Sequence, residues 1–191
     1  MIPLFKADLF SKANLGTAEQ RQDILDRLYK LKQNNPATPH TNKGCWRVQR
    51  PVLDIDWLAA ELVELTQQAI DFYSESDIIY NKSIQDKNFI ELDHWANINP
   101  PGTRNVTHDH KTSEFSAVYY VQGTGCGSLR LINPANLLGD HLSGPFVRDF
   151  YYHPKDGDLI LFPSWIPHEV ETNLSNRDRV NVVFDIRYIT K

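Results

Sequence analysis

The chain has 191 residues, 41% of them hydrophobic and 23% charged, with a formal net charge of −4. That is enough for one domain with a sizeable core but short for two, and it holds no Lys/Arg stripe to meet a nucleic-acid backbone. No apolar run reaches the roughly 18 residues of a membrane span, and the start MIPLFKADLF lacks the pattern of a secretory leader; two cysteines, Cys45 and Cys126, are too few for a disulfide framework, so a soluble protein of the reducing cytoplasm is expected.

In chain order, helices come first. Thr17 and Gln20 have the spacing of a capping box, in which each side chain satisfies an orphan amide of the other. Ile24, Leu28 and Leu31 follow at helical spacing, and NNPATP at 34–39 stops the helix. Leu58, Leu62, Leu65, Ala69 and Phe72 recur in steps of four and three, which predicts a second amphipathic helix ending near SES at 74–76.

From about residue 85 the period changes to two. FIELDHWANIN (89–99), FSAVYYVQ (115–122), GSLRLI, DGDLILFP, HEVETN and RVNVVFDIRYI read as strands set apart by turns such as PPG at 100–102. Many short strands favour a closed all-β architecture, with the helices against one outer face. The expected fold is mainly β with N-terminal helices: a double-stranded β-helix, the jelly-roll or cupin-like form. One domain is expected over 1–191, with 1–80 as mostly helical support and 85–191 as the jelly-roll core.

Two of the seven histidines stand two residues apart, His108 and His110. On a strand such residues share a face, about 6.6–6.8 Å apart along the chain, so both can reach one metal ion. His168, after the turn set by Pro163 and Pro167, is the third candidate ligand. The blander reading, an ordinary surface or packing histidine, suits His40, His94, His141 and His153. Nitrogen ligands accept Fe(II), Zn, Cu or Ni; a facial set with open positions suits non-heme iron, while closed tetrahedral zinc needs a fourth ligand that Cys126, in the Gly-rich GTGCGS, is poorly placed to supply.

Arg179 lies 11 residues beyond His168. If 168–172 and 179–183 pair as a hairpin around NLSNRD, Thr172 opposes Arg179 and His168 opposes Val183. Arg179 and His168 then face the same way, on the order of 13 Å apart. A short dicarboxylate would span that gap, gripped by the planar guanidinium fork; a one-residue slip would turn Arg179 outward. Along FSAVYYVQ, Ser116, Val118 and Tyr120 share one face and Ala117, Tyr119 and Val121 the other. One tyrosine must therefore point inward, where a phenol either packs the core or donates to a bound carboxylate. No Ser or Cys sits in a nucleophile elbow, and no helix follows GTGCGS to make a nucleotide loop.

NINPPGTRNVTHDHKTSEFSAVYYVQ, DGDLILFPSWIPHEVETN and RDRVNVVFDIR together resemble the 2-oxoglutarate/Fe(II)-dependent oxygenases common in phages and marine bacteria. The resemblance covers roughly 89–187, with a weaker likeness at the PLF start. It implies Fe(II) on His108, His110 and His168, and 2-oxoglutarate anchored by Arg179. Tyr120 matches the second tyrosine of the related prolyl hydroxylases, where it helps to bind the co-substrate, and Asn97 and Asn99 are placed along the pocket. It implies a dioxygenase that consumes O2 and hydroxylates a C–H bond of an amino-acid-like, peptidyl or small-metabolite substrate chosen by loops such as 134–150. The wider superfamily has His-x-Asp where this chain has His108-x-His110. Three histidines are expected as ligands, with Asp109 facing away unless a β-bulge swings it in. Such a neutral ligand set leaves the iron with a higher net charge. The alternatives are a non-enzymatic cupin-like metal-binding module and a three-histidine dioxygenase that does not use 2-oxoglutarate.

Overall fold

The computed structural model describes residues 7–36, 42–49, 55–75, 89–134 and 149–189. His40, His141 and nearly all of the loop 134–150 fall outside them. In chain order the elements are β1 (Phe10–Lys12), α1 (Ala18–Asn34), β2 (Asn42–Lys43), β3 (Trp46–Gln49), α2 (Asp56–Glu75), β4 (Phe89–Asn99), β5 (Arg104–His108), β6 (Phe115–Gln122), β7 (Leu129–Leu131), β8 (Phe150–Tyr152), β9 (Leu159–Pro163), β10 (His168–Val170) and β11 (Arg179–Ile189).

The strands form two antiparallel sheets. One has the order β1-β9-β6-β11-β4-β3 and the other β2-β5-β10-β7-β8. Parity along each strand divides the core. Ala117, Tyr119 and Val121 of β6 join Ala96, Ile98, Val180 and Val182 beneath the helices. Val118 and Tyr120 turn the other way, into an interior shared with Leu129, Leu131, Ile160, Phe162 and Val183. The inward tyrosine is therefore Tyr120. Tyr119 is also buried, but its hydroxyl donates to the Leu15 carbonyl at 2.8 Å on the helix side.

Both helices pack on the outer face of the six-stranded sheet through Ile24, Leu28, Leu58, Leu62 and Leu65, each no more than 2% exposed. The capping box of α1 is formed: the Thr17 amide donates to Gln20 Oε1 at 2.7 Å and the Gln20 amide to Thr17 Oγ1 at 3.2 Å. Such a cap contributes about 1 kcal/mol. At the end of α2 the buried residue is Tyr73, at 7%, and the expected Phe72 is 39% exposed. Strands β1, β2 and β3, invisible as short alternations within the helical part of the sequence, lie at sheet edges, where few residues suffice to pair. Among the described residues, no helix is long and apolar enough to cross a membrane.

The hairpin expected between 168–172 and 179–183 does not form. β10 lies in the five-stranded sheet between β5 and β7, while β11 lies in the six-stranded sheet between β4 and β6. The polar connection from 171 to 178 crosses between sheets. Strand alternation specifies which residues share a face but not which strand is the partner, so Arg179 and His168 belong to opposite sheets.

Candidate active site

His108 closes β5 and His168 opens β10, and the two are direct cross-strand partners. The register shifts between His168 and Val170, whose partner is Asn105, so β5 carries one extra residue there. This bulge lies before His108 and does not bring Asp109 into the histidine cluster; Asp109 is on the wall of the adjoining cavity, its Oδ2 3.6 Å from Lys111 Nζ. His110 lies just past the end of β5, where its amide donates to the Ser164 carbonyl at 3.0 Å. The pair thus converges from a strand end and the following turn, not from one regular strand.

The ring centroids are 5.2 Å apart for His108 and His110, 4.3 Å for His108 and His168, and 5.1 Å for His110 and His168. One nitrogen of each ring lies within 4.8 Å of the others. The tautomers follow from the second nitrogens. Nδ1 of His108 is 2.8 Å from the Val106 carbonyl and Nδ1 of His168 is 2.9 Å from the Ile166 carbonyl. A carbonyl only accepts, so each Nδ1 carries the proton and each Nε2 is the unprotonated nitrogen, as a metal ligand requires. Nδ1 of His110 faces Asp185 Oδ1 at 2.6 Å, with the same consequence. Burial, and then the neighbouring His108, push the pKa of His168 down to about 3, so its ring is neutral near pH 7.

A cavity of about 460 Å³ opens beside the three rings, a size suited to a small ligand. Tyr120 and Asn97 are on its wall, as are Asn181, Leu129 and Val170. Asn97 Nδ2 donates to Asn181 Oδ1 at 2.9 Å. Arg47, also on the wall, stacks its guanidinium 4.3 Å over the Trp95 ring, whose own centroid is 5.4 Å from that of His110.

Arg179 has 0% exposure. Its Nη1 donates to the Cys126 carbonyl at 2.7 Å and the Glu171 carbonyl at 3.1 Å. Its Nε and Nη2 are buried without a partner, and so are both amide atoms of Asn99, its cross-strand neighbour. Burial lowers its pKa, and the groups that act on its charge are Tyr120, Cys45 and Cys126, none of them a carboxylate. Burying a guanidinium in this way is costly unless an anion meets it. The Nε/Nη2 edge is the side that grips a carboxylate with two parallel bonds. The residues therefore fit both groups: three neutral imidazoles for a divalent ion and a cationic fork for a dicarboxylate.

Sequence reasoning missed Asn181 and Asp185. The signal was available, since both lie at even steps from Arg179 on β11 and so share its inward face. It also missed Ser116 as a partner of this group and Gly127 beside Arg179. The histidines set aside as ordinary behave so where described: His94 stacks on Phe184 at 6.1 Å, and His153 Nδ1 pairs with Ser128 Oγ at 2.8 Å.

Two facing sheets with three inward imidazoles and a buried guanidinium define a double-stranded β-helix built for a metal ion and an acid. Residues 93–185 match the family model described as "Putative 2OG-Fe(II) oxygenase", a segment that contains all three histidines and Arg179. The match supports a 2-oxoglutarate- and Fe(II)-dependent oxygenase over both alternatives raised from the sequence. Solved structures agree in fold. A Pseudomonas putida prolyl-4-hydroxylase is 16% identical and superposes with a TM-score of 0.62, covering 94% of this chain and 91% of that chain. A Trichoplax adhaerens prolyl hydroxylase bound to a hypoxia inducible factor oxygen degradation domain peptide fragment is 15% identical, with a TM-score of 0.63 over 94% and 83%. The epimerase SnoN, in complex with Fe3+, alpha ketoglutarate and nogalamycin RO, is 10% identical, with a TM-score of 0.66 over 94% and 78%. No curated protein matches the sequence.

Proposed function

We propose that His108, His110 and His168 hold Fe(II) through Nε2, and that Arg179 anchors the far carboxylate of 2-oxoglutarate with Tyr120 and Asn97 along the same wall. Bound iron and 2-oxoglutarate would supply activation of O2, with succinate and CO2 as by-products and a hydroxylated substrate as product. The protein's own part is placement. Backbone carbonyls and Asp185 hold the rings, Tyr120 and Asn97 shape the co-substrate channel, and the dry interior strengthens the grip of Arg179. The observation that carries this reading is the fully buried guanidinium of Arg179, with two donors open on one edge and, among the described residues, no carboxylate paired with it.

The primary substrate is amino-acid-like, peptidyl or a small metabolite. The charged outer wall, with Arg47, Asp93, Asp109 and Lys111, supports a polar one. The described residues work as one oxygenase domain.

Anaerobic titration with Fe(II), with and without 2-oxoglutarate, tests the reading. A visible charge-transfer band is expected only with both, and His168→Ala abolishes it. Arg179→Ala loses charge-assisted bonds worth about 2 kcal/mol, so half-saturation needs roughly 30-fold more 2-oxoglutarate. A band whose 2-oxoglutarate dependence ignores Arg179→Ala would overturn the assignment.

A further inference from the structure

His110 is held differently from its two neighbours. The Nδ1 atoms of His108 and His168 face main-chain carbonyls. The Nδ1 of His110 faces a carboxylate oxygen, Asp185 Oδ1, at 2.6 Å. Ser116 Oγ completes a triangle, 3.0 Å from that nitrogen and 3.2 Å from that oxygen. Ser116 and Asp185 are cross-strand partners on β6 and β11. The side chains of His110 and Asp185 are only 10% and 13% exposed, so water screens the contact weakly.

The hydrogen bonds from His110 and Ser116 do not by themselves call for a carboxylate. Asp185 lies directly opposite Asp93 on β4, and the Arg47 guanidinium on the same cavity wall acts on both charges. An asparagine would accept the same bonds from His110 and Ser116 without carrying a charge. Asp109, the acid beside His110 in sequence, is turned to Lys111 instead.

We propose that Asp185 is a positioning residue that supplies, through His110, the negative charge an all-imidazole ligand set lacks. The inference rests on the metal assignment made above. A carboxylate accepting the Nδ1 proton fixes the ring's tautomer and orientation and makes Nε2 a stronger donor. It also sets one anionic charge a single imidazole away from the ion. The set of three histidines with Asp185 then matches in charge a site of two histidines and one carboxylate, with the acid delivered from β11 rather than from the second position after His108.

The test compares wild type, Asp185→Asn and Asp109→Asn for Co(II) affinity by calorimetry and for the Fe(III)/Fe(II) midpoint potential of the iron-loaded protein. Asp185→Asn keeps an acceptor oxygen and removes the charge. It is expected to weaken Co(II) binding roughly 10- to 100-fold and to raise the potential, while Asp109→Asn changes neither. Far-UV circular dichroism checks folding. If Asp185→Asn does not fold, Asp185→Glu against Asp185→Gln decides on the same two readouts, with the charged variant nearer wild type. Wild-type affinity and potential in Asp185→Asn, or losses that follow Asp109 instead, would overturn the inference while leaving the metal site standing. A wild type that takes up no Co(II) would overturn both.

Discussion

Arg179 keeps its buried position because its neighbours leave it room. Gly127, at φ +89°, brings main chain against it: a Cβ there would lie 2.9 Å from the Glu171 carbonyl, 3.1 Å from that of Thr172 and 3.3 Å from Arg179 Nη1. A side chain is disfavoured twice, by the left-handed backbone and by main-chain atoms that cannot swing aside. Gly127→Ala is therefore expected to lose about 1–2 kcal/mol of stability and to weaken 2-oxoglutarate binding while sparing Co(II) affinity. Calorimetric titration with each ligand separates the two effects, and equal losses for both would place Gly127 outside the Arg179 cradle. His108, His110, His168 and Arg179 were legible at this scale because their residue types and spacings are unusual. Gly127 was not, since a glycine in a turn does not announce what it adjoins.

Among the elements, the turn after β6 is tied to the approach to β11 by one carboxylate. Asp156 Oδ1 accepts from the Gly123 amide at 2.8 Å, the Thr124 amide at 2.9 Å, the Thr124 hydroxyl at 2.9 Å and Arg177 Nη2 at 3.0 Å. Burial works against its charged form, but the hydrogen bonds from Thr124 and Gly123, with Arg177, outweigh it and lower its pKa from 3.8. A depressed carboxylate contributes stability that is present above its unfolded pKa and lost as pH falls through the folded one. Asp156→Asn should therefore lower Tm near neutrality, and the gap to wild type should close below pH 3.8, the ordinary value. Thermal melts across pH 3–7, a range chosen to bracket the carboxylate region, check the sign; a gap that widened in acid would refute it. Element existence was legible wherever the period was long, as in β4, β6, β11 and both helices. The pairing of β10 was not, because a three-residue strand carries too little pattern to name its neighbours.

At the scale of the whole molecule, the site is assembled across the interior. His108 and His168 come from the five-stranded sheet and His110 from the turn after it, while Tyr120, Asn97, Arg179 and Asp185 come from the six-stranded one. Ligands that touch both sheets should therefore act as clasps. A divalent ion at 100 times its dissociation constant is expected to add about 2.7 kcal/mol, raising Tm by several degrees. Chelation should reverse the rise, and His168→Ala should abolish it. Differential scanning calorimetry of wild type with Co(II), and with Co(II) plus 2-oxoglutarate, gives the two increments. A Tm indifferent to both would show that nothing is clasped.

The amino-acid order alone determined the class of fold and the kinds of side chain at the site, because apolar period and residue chemistry are local properties. It also determined that one of two adjacent tyrosines points inward. Only the tertiary structure decided that this one is Tyr120, that His168 meets His108 across a bulged ladder, that Arg179 is buried on the other sheet, and that Asp185 stands behind His110. Each of those is a contact between segments far apart along the chain. The free energy that selects them comes from burying two sheets and two helices together, which no single stretch of sequence carries.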